Sequence, residues 1–242
     1  MPLLSIILPT VLILFLSALI RQLTGFGHAL LAIPLVTLVV GIRIASPLVT
    51  LAGVVIGLVA TARSWRMVEY KSLWPLVTAS ILGIPLGIWL FQHAPEALIL
   101  RLLGGVLIVY SAYCLVTPNL PYLSSGWLAW LFGFIAGILG GAYNTSGPPI
   151  VIYAGLRRWS PTVFRATLQP YFLITSAIAA SGHLWAGLWS KEVIWLFLYS
   201  LPAIAVGLWI GERITLRMPK ESFNRLIYSF LILTGALLFL PV

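Results

Sequence analysis

The feature that most constrains this chain is a succession of apolar stretches with almost nothing soluble between them. A hydrocarbon core of about 30 Å takes roughly 20 apolar residues per helix. The runs Leu3–Ile20, Phe26–Val40, Pro47–Thr61, Leu73–Phe91 and Leu98–Val116 come first. Trp127–Leu139, Pro148–Leu156, Thr162–Ser181, Val193–Ile210 and Phe223–Leu240 follow a short Pro/Ser linker. Backbone in lipid must satisfy its own hydrogen bonds, so these runs are predicted as helices. They are too long and too evenly apolar for barrel strands, which alternate over about ten residues. Only 8% of the residues are charged, against roughly a quarter in a soluble domain.

The net charge of +9 would suggest nucleic acid on a soluble protein. Here the Lys and Arg residues lie mostly between apolar runs, where they set topology and meet anionic headgroups. No basic stretch is interleaved with aromatics, so no nucleic-acid partner is expected. Cys114 is the single cysteine, which rules out a disulfide framework within the chain. The first run lacks the basic start and the A-x-A-like site of a signal peptide, and it is read as structure.

The two halves match. Gly25-Phe26-Gly27-His28 followed by Pro34 aligns with Gly140-Gly141-Ala142-Tyr143 followed by Pro149. Trp65 and Lys71 align with Trp185 and Lys191, Gly87-Ile88-Trp89-Leu90 with Gly207-Leu208-Trp209-Ile210, and Pro95 and Arg101 with Pro219 and Arg225. The expected organisation is a membrane repeat over 1–117, a linker over 118–125 and a second repeat over 126–242. Internal repeats of this kind are common in secondary transporters.

The repeats are expected to be inverted. A continuous helix from Leu3 to Val40 would be roughly 55 Å long, too long for one crossing. The polar break Arg21-Gln22-Leu23-Thr24-Gly25 makes it a re-entrant hairpin. The break Gly140–Gly147 does the same for Trp127–Leu156. Each half is then a broken hairpin plus three transmembrane helices, an odd number of crossings. The basic loops agree. Arg157, Arg158 and Arg165 cluster after the second hairpin, and Arg213, Arg217, Lys220 and Arg225 before the last run. Arg63, Arg66 and Lys71 sit in the loop that aligns with the poorly charged one around Lys191. Positive loops face the cytoplasm, so both termini are expected outside and the linker inside. The fold class is an all-α polytopic membrane protein of two inverted-topology repeats.

Two hairpins entering from opposite faces bring their tips together near the midplane. Inverted-repeat transporters place substrate there, with helix N-termini facing anions. The chain has no Asp, and its acids Glu69, Glu96, Glu192, Glu212 and Glu221 all lie near segment ends. A cation site would need carboxylates, so an anionic substrate is expected. Candidate binding residues are Arg21, Gln22, Thr24, Gly25, Gly27 and His28 at the first tip. Tyr143, Asn144 and Thr145 are the candidates at the second, with Arg165 and Gln169 on the helix that follows. Each has a plainer reading. Arg21 snorkels to an interface, His28 bonds a carbonyl in the tip, and Asn144, Thr145 and Ser146 cap a broken helix. Arg165 anchors topology and Gln169-Pro170 marks a kink. His183 is placed at the interface, and the Trp residues in an interfacial belt.

The segment Gly25-Phe26-Gly27-His28 through Pro34 has a counterpart in Gly137-Ile138-Leu139-Gly140-Gly141-Ala142 through Pro148-Pro149. With Phe164-Arg165-Ala166-Thr167, it resembles the TauE/SafE (TSUP) sulfite exporter family over nearly the whole chain. The resemblance implies transport of sulfite, thiosulfate or an organosulfonate across a bacterial inner membrane. The first tip departs from the usual Gly cluster by carrying Phe26 and His28, which leaves the exact anion open.

The leading expectation is therefore a secondary exporter of a small sulfur-containing anion, working by alternating access at the hairpin tips. The alternatives are an anion channel or a carboxylate carrier. A membrane-embedded enzyme is disfavoured: the three His residues are far apart and no H-E-x-x-H or Walker signature occurs. No catalytic residue, metal ligand or cofactor is expected. The partners are the anion, the lipid bilayer and, as a further expectation, a second copy in a homodimer.

Overall fold

The structure, a computed structural model, describes residues 2–64, 68–116, 122, 126–215 and 232, 233, 235, 236 and 239. The described chain folds as α1 (Pro2–Thr24), α2 (His28–Val40), α3 (Ile42–Ser64), α4 (Tyr70–His93) and α5 (Glu96–Val116). It continues as α6 (Trp127–Tyr143), α7 (Gly147–Leu156), α8 (Pro161–Trp185) and α9 (Lys191–Thr215). Most of the linker 118–125 and of the predicted run Phe223–Leu240 lies outside the described residues. Among the described residues, stretches of α1, α3, α4 and α9 are long and apolar enough to cross a membrane. The all-α polytopic membrane fold read from the sequence is the fold observed.

Hydroxyl residues inside these apolar helices turn back onto their own backbone. Thr10, Thr50 and Ser200 donate to the carbonyls of Ile6, Ser46 and Leu196 at 2.7, 2.8 and 2.7 Å. The hydroxyls are thereby satisfied where no water reaches them.

Both breaks fall later than the polar residues suggested. Helix α1 runs on through Arg21, Gln22 and Thr24, and the first tip is Gly25–Gly27. Gly25 and Gly27 have φ of 86° and 89°, a left-handed backbone that costs glycine little. Helix α6 likewise runs through Gly140–Tyr143, and the second tip is Asn144–Ser146. Asn144 ends it at φ 52° and ψ 24°, with its N–H on Gly140 O and the Thr145 N–H on Leu139 O. This is a left-handed helix cap built on Asn in place of Gly.

Small residues set the closest packing. A side chain on Gly133, Gly137 or Gly141 of α6 would collide with the backbone of Leu76, Ser80 or Ile84 on α4. Gly83 and Gly87 of α4 meet the α6 backbone in return. Without a hydrophobic drive in lipid, such close backbone approach is a main source of helix association. Both series advance in the same direction, so α4 and α6 run parallel. Gly207 of α9 meets Phe15 O and Gly211 meets Leu19 O of α1, again in parallel. The fourth helix of each half thus packs along the first helix of the other, and α3 packs on α8 across the middle.

Contacts between helix ends fix their relative directions. Arg43 at the start of α3 donates to Phe91 O at the end of α4, 3.1 Å away. Gln92 near that end donates to Ala186 O just past α8 at 3.0 Å. At the other end of the bundle, the Glu69 N–H before α4 donates to Thr167 Oγ1, early in α8, at 3.0 Å. The α3–α4 and α7–α8 connections therefore share one end.

Candidate functional site

The two tips meet at a cavity of about 20 Å³, enough for a water molecule. Arg21, Gly27 and His28 line it from the first hairpin, Asn144, Thr145 and Gly147 from the second, and Phe172 and Ser176 from α8.

Arg21 sits one turn from the end of α1 and is buried, with 5% of its surface exposed. Its Nη2 donates to Gln169 Oε1 at 2.9 Å. Its guanidinium lies 4.7 Å from the centre of the Phe172 ring, a cation–π contact. Its Nε–H is buried and has no hydrogen-bond partner. Among the described residues no carboxylate pairs with it. Taking such a cation out of water costs several kcal/mol unless a counter-charge arrives. Arg21 is thus held in place by neutral groups, with its charge left uncompensated beside a cavity.

His28 opens α2 and bonds two other helices. Its Nε2 donates to Val49 O of α3 at 3.1 Å, and its Nδ1 lies 2.9 Å from Ser17 Oγ of α1. The carbonyl it meets is in a neighbouring helix, where the sequence suggested one in the tip. Asn144 reaches the same Val49 O through Nδ2 at 3.4 Å and accepts from Ser176 at 2.9 Å. Gln169 does not line the cavity. It holds Arg21 and donates to Gly25 O at 3.0 Å, tying the first tip to α8.

The two tips differ as anion sites. In α2 the first intrahelical bond is Leu31 N–H to Gly27 O, so the N–H groups of His28, Ala29 and Leu30 precede it and face the tip. Helix α7 begins Gly147-Pro148-Pro149, and proline has no N–H to offer. The first hairpin supplies the charge and the donors, and the second supplies a neutral wall.

A family model described as "Sulfite exporter TauE/SafE" matches residues 10–238. The chain belongs to this family. It is also 25% identical over 232 residues to "Probable sulfite/organosulfonate exporter TauE" of Cupriavidus necator (strain H16), covering 91% of this chain and 89% of that protein. No solved structure gives a significant match.

Several expected site residues of this TauE/SafE chain lie elsewhere. Gln22 packs against Gly211 of α9. Thr24 folds back onto Ile20 O and Phe26 O at 2.9 and 2.5 Å. The Tyr143 hydroxyl donates away from the tips to Ile99 O at 3.2 Å. Arg165 stands in the second turn of α8, and its side chain lies outside the described residues. His183 is fully buried within the protein, donating to Gly141 O at 2.8 Å. Trp74, Trp89, Trp127, Trp130, Trp195 and Trp209 are exposed on the outer surface and form no cage.

Reading the sequence did not single out Ser17, Val49, Phe172 and Ser176. Three of them carried a usable signal. Phe172 and Ser176 lie three and seven residues after Gln169 on one helical face, and Ser17 lies four before Arg21. The Val49 carbonyl carried none, because any residue supplies one.

Proposed function

We propose that this protein is a secondary carrier for sulfite or a small organosulfonate, with the anion held at the cavity between the hairpin tips. The observation that carries the reading is Arg21, a buried guanidinium with a free Nε–H and no carboxylate partner among the described residues. Its fork and the first N–H groups of α2 suit the oxygens of a sulfonate or sulfite head. Asn144, Thr145 and Ser176 form the neutral side of the site. Gly25, Gln169 and Thr24 hold the first tip in shape. A relative bearing the name of a probable sulfite/organosulfonate exporter agrees with this chemistry.

The arrangement of the halves supports a reading of alternating access. The cross-packing of α1 on α9, α4 on α6 and α3 on α8 maps onto itself when the halves are exchanged, as an inverted repeat requires. The cavity is small, about 20 Å³, and in this reading the tips part around a larger anion. Rocking one half against the other then exposes the same site to either side.

The test is a melting-temperature screen of purified protein with sulfite, thiosulfate, sulfoacetate, taurine and simple carboxylates. A bound ligand raises the melting temperature as ln(1 + [L]/Kd). Sulfite or a sulfonate should give the largest shift, and Arg21→Gln should abolish it. A full-sized shift in Arg21→Gln, or shifts with carboxylates alone, refutes the assignment.

A further inference from the structure

Both ring nitrogens of His28 are engaged, and the residue is 1% exposed. Nε2 lies 3.1 Å from Val49 O. A carbonyl only accepts, so Nε2 carries a hydrogen in either charge state. Nδ1 lies 2.9 Å from Ser17 Oγ, and the same hydroxyl lies 2.9 Å from Leu14 O. Ser17 has one hydrogen to give. With His28 neutral, Ser17 donates to Nδ1, and Leu14 O keeps the backbone N–H of its own helix. With His28 protonated, Nδ1 donates to Ser17 Oγ, and Ser17 donates onward to Leu14 O. Every contact around the ring is then filled. The hydrogen-bond geometry accommodates both the neutral ring and the imidazolium, with only the Ser17 hydroxyl turning between them.

Charge decides between the two states, and it disfavours the imidazolium while the cavity is empty of anion. On α1 the charged group facing the same cavity is Arg21. From α3 the ring meets the Val49 carbonyl. The second tip presents Asn144, Thr145 and Gly147, and α8 presents Phe172 and Ser176, all neutral. Among the described residues no carboxylate lines this cavity. Two cations on one cavity of low dielectric repel strongly. An anion between them turns that repulsion into two attractions.

We propose that His28 is the proton-binding site of the carrier, and that it takes up one proton together with the anion. This rests on the anion reading above and adds the coupling ion to it. Linkage makes the effect reciprocal: the proton favours the anion by the same factor as the anion favours the proton. Ser17 is the positioning residue, since its hydroxyl can turn to accept from or donate to Nδ1.

Calorimetric titration with methanesulfonate, a monoanion throughout the neutral range, tests this. Repeating it near neutral pH in buffers of different ionisation enthalpy gives the protons taken up per anion bound. The wild type should take up a proton, approaching one per anion as pH falls. Ser17→Ala removes the acceptor for Nδ1–H from behind the cavity wall. It should bind methanesulfonate with proton binding weakened about tenfold, the effect of one hydrogen bond. His28→Gln should take up none. Wild-type binding without proton uptake, or undiminished uptake in both variants, overturns the proposal and leaves the anion site standing. Failure of both methanesulfonate and sulfite to bind overturns the anion reading, and this pairing with it.

Discussion

Arg21 keeps its position through an amide and an aromatic ring, neither of which cancels its charge. A carboxylate in the place of Gln169 would have made the same bond and removed the reason for an anion to come. Arg21→Lys should therefore keep the charge and still weaken anion binding, because an ammonium cannot present the guanidinium fork. Loss of one charge-assisted bond of about 1.5–3 kcal/mol corresponds to roughly ten- to a hundredfold in affinity. Isothermal titration of Arg21→Lys beside Arg165→Ala measures this. The Arg165 variant should lose far less, and the reverse order would move the anion to α8. Arg21 and His28 stood out in the sequence because ionisable groups in apolar runs are costly and rarely idle. Gln22, Thr24 and Tyr143 looked equivalent to them there. Only the helical phase of α1 and α6 turns those three toward α9, their own backbone and α5.

At the level of elements, glycine decides where helices touch. Gly137 of α6 lies against the backbone of Ser80 on α4, where no flexible side-chain end can give way. Ser80 also donates across the interface to Gly133 O at 2.7 Å. Gly137→Leu should force the two helices apart and cost 1–3 kcal/mol or more, about the usual penalty of overpacking. Among the described residues nothing approaches a side chain added at Gly105 of α5. Gly105→Ala should leave stability unchanged or raise it by up to about 1 kcal/mol through helix propensity. Melting curves of the two variants in detergent provide the comparison, and equal destabilisation would mean that α4–α6 packing is not limiting. The existence of both hairpins was legible from polar and glycine residues interrupting apolar runs. Their exact ends were not, because a helix stops where a left-handed residue and its cap form, at Gly25 and Asn144. Polar side chains such as Arg21 and Thr24 can ride the last turn, and here they do.

At the scale of the molecule, each first helix packs along the fourth helix of the opposite half, and the connections at one end are the basic ones. The proposed topology places the 118–125 linker in the cytoplasm and the α8–α9 connection outside. In a Cys114→Ser background, Ser190→Cys should react with an impermeant maleimide added to intact cells, and Ser125→Cys should react only after lysis. Labelling of Ser125→Cys alone in intact cells would reverse the assignment. The expectation of inverted halves came from loop charge, a sequence property, whereas the register of α3 on α8 depends on side-chain shape and was not legible. The returning arms of the hairpins carry an electrical consequence. Helix α2 has 13 residues and α7 has 10, about 20 and 15 Å of rise against a hydrocarbon core of about 30 Å. Together they rise about 35 Å, enough to span that core, so in the proposed topology an anion held between the tips sits part-way across the membrane voltage. One elementary charge crossing it experiences about 2.3 kcal/mol per 100 mV. A sulfonate leaving alone would be driven out by an inside-negative potential, while a sulfonate paired with a proton is electrically silent. In proteoliposomes clamped with potassium and valinomycin, the wild-type rate should ignore the imposed voltage, and the His28→Gln rate should follow it.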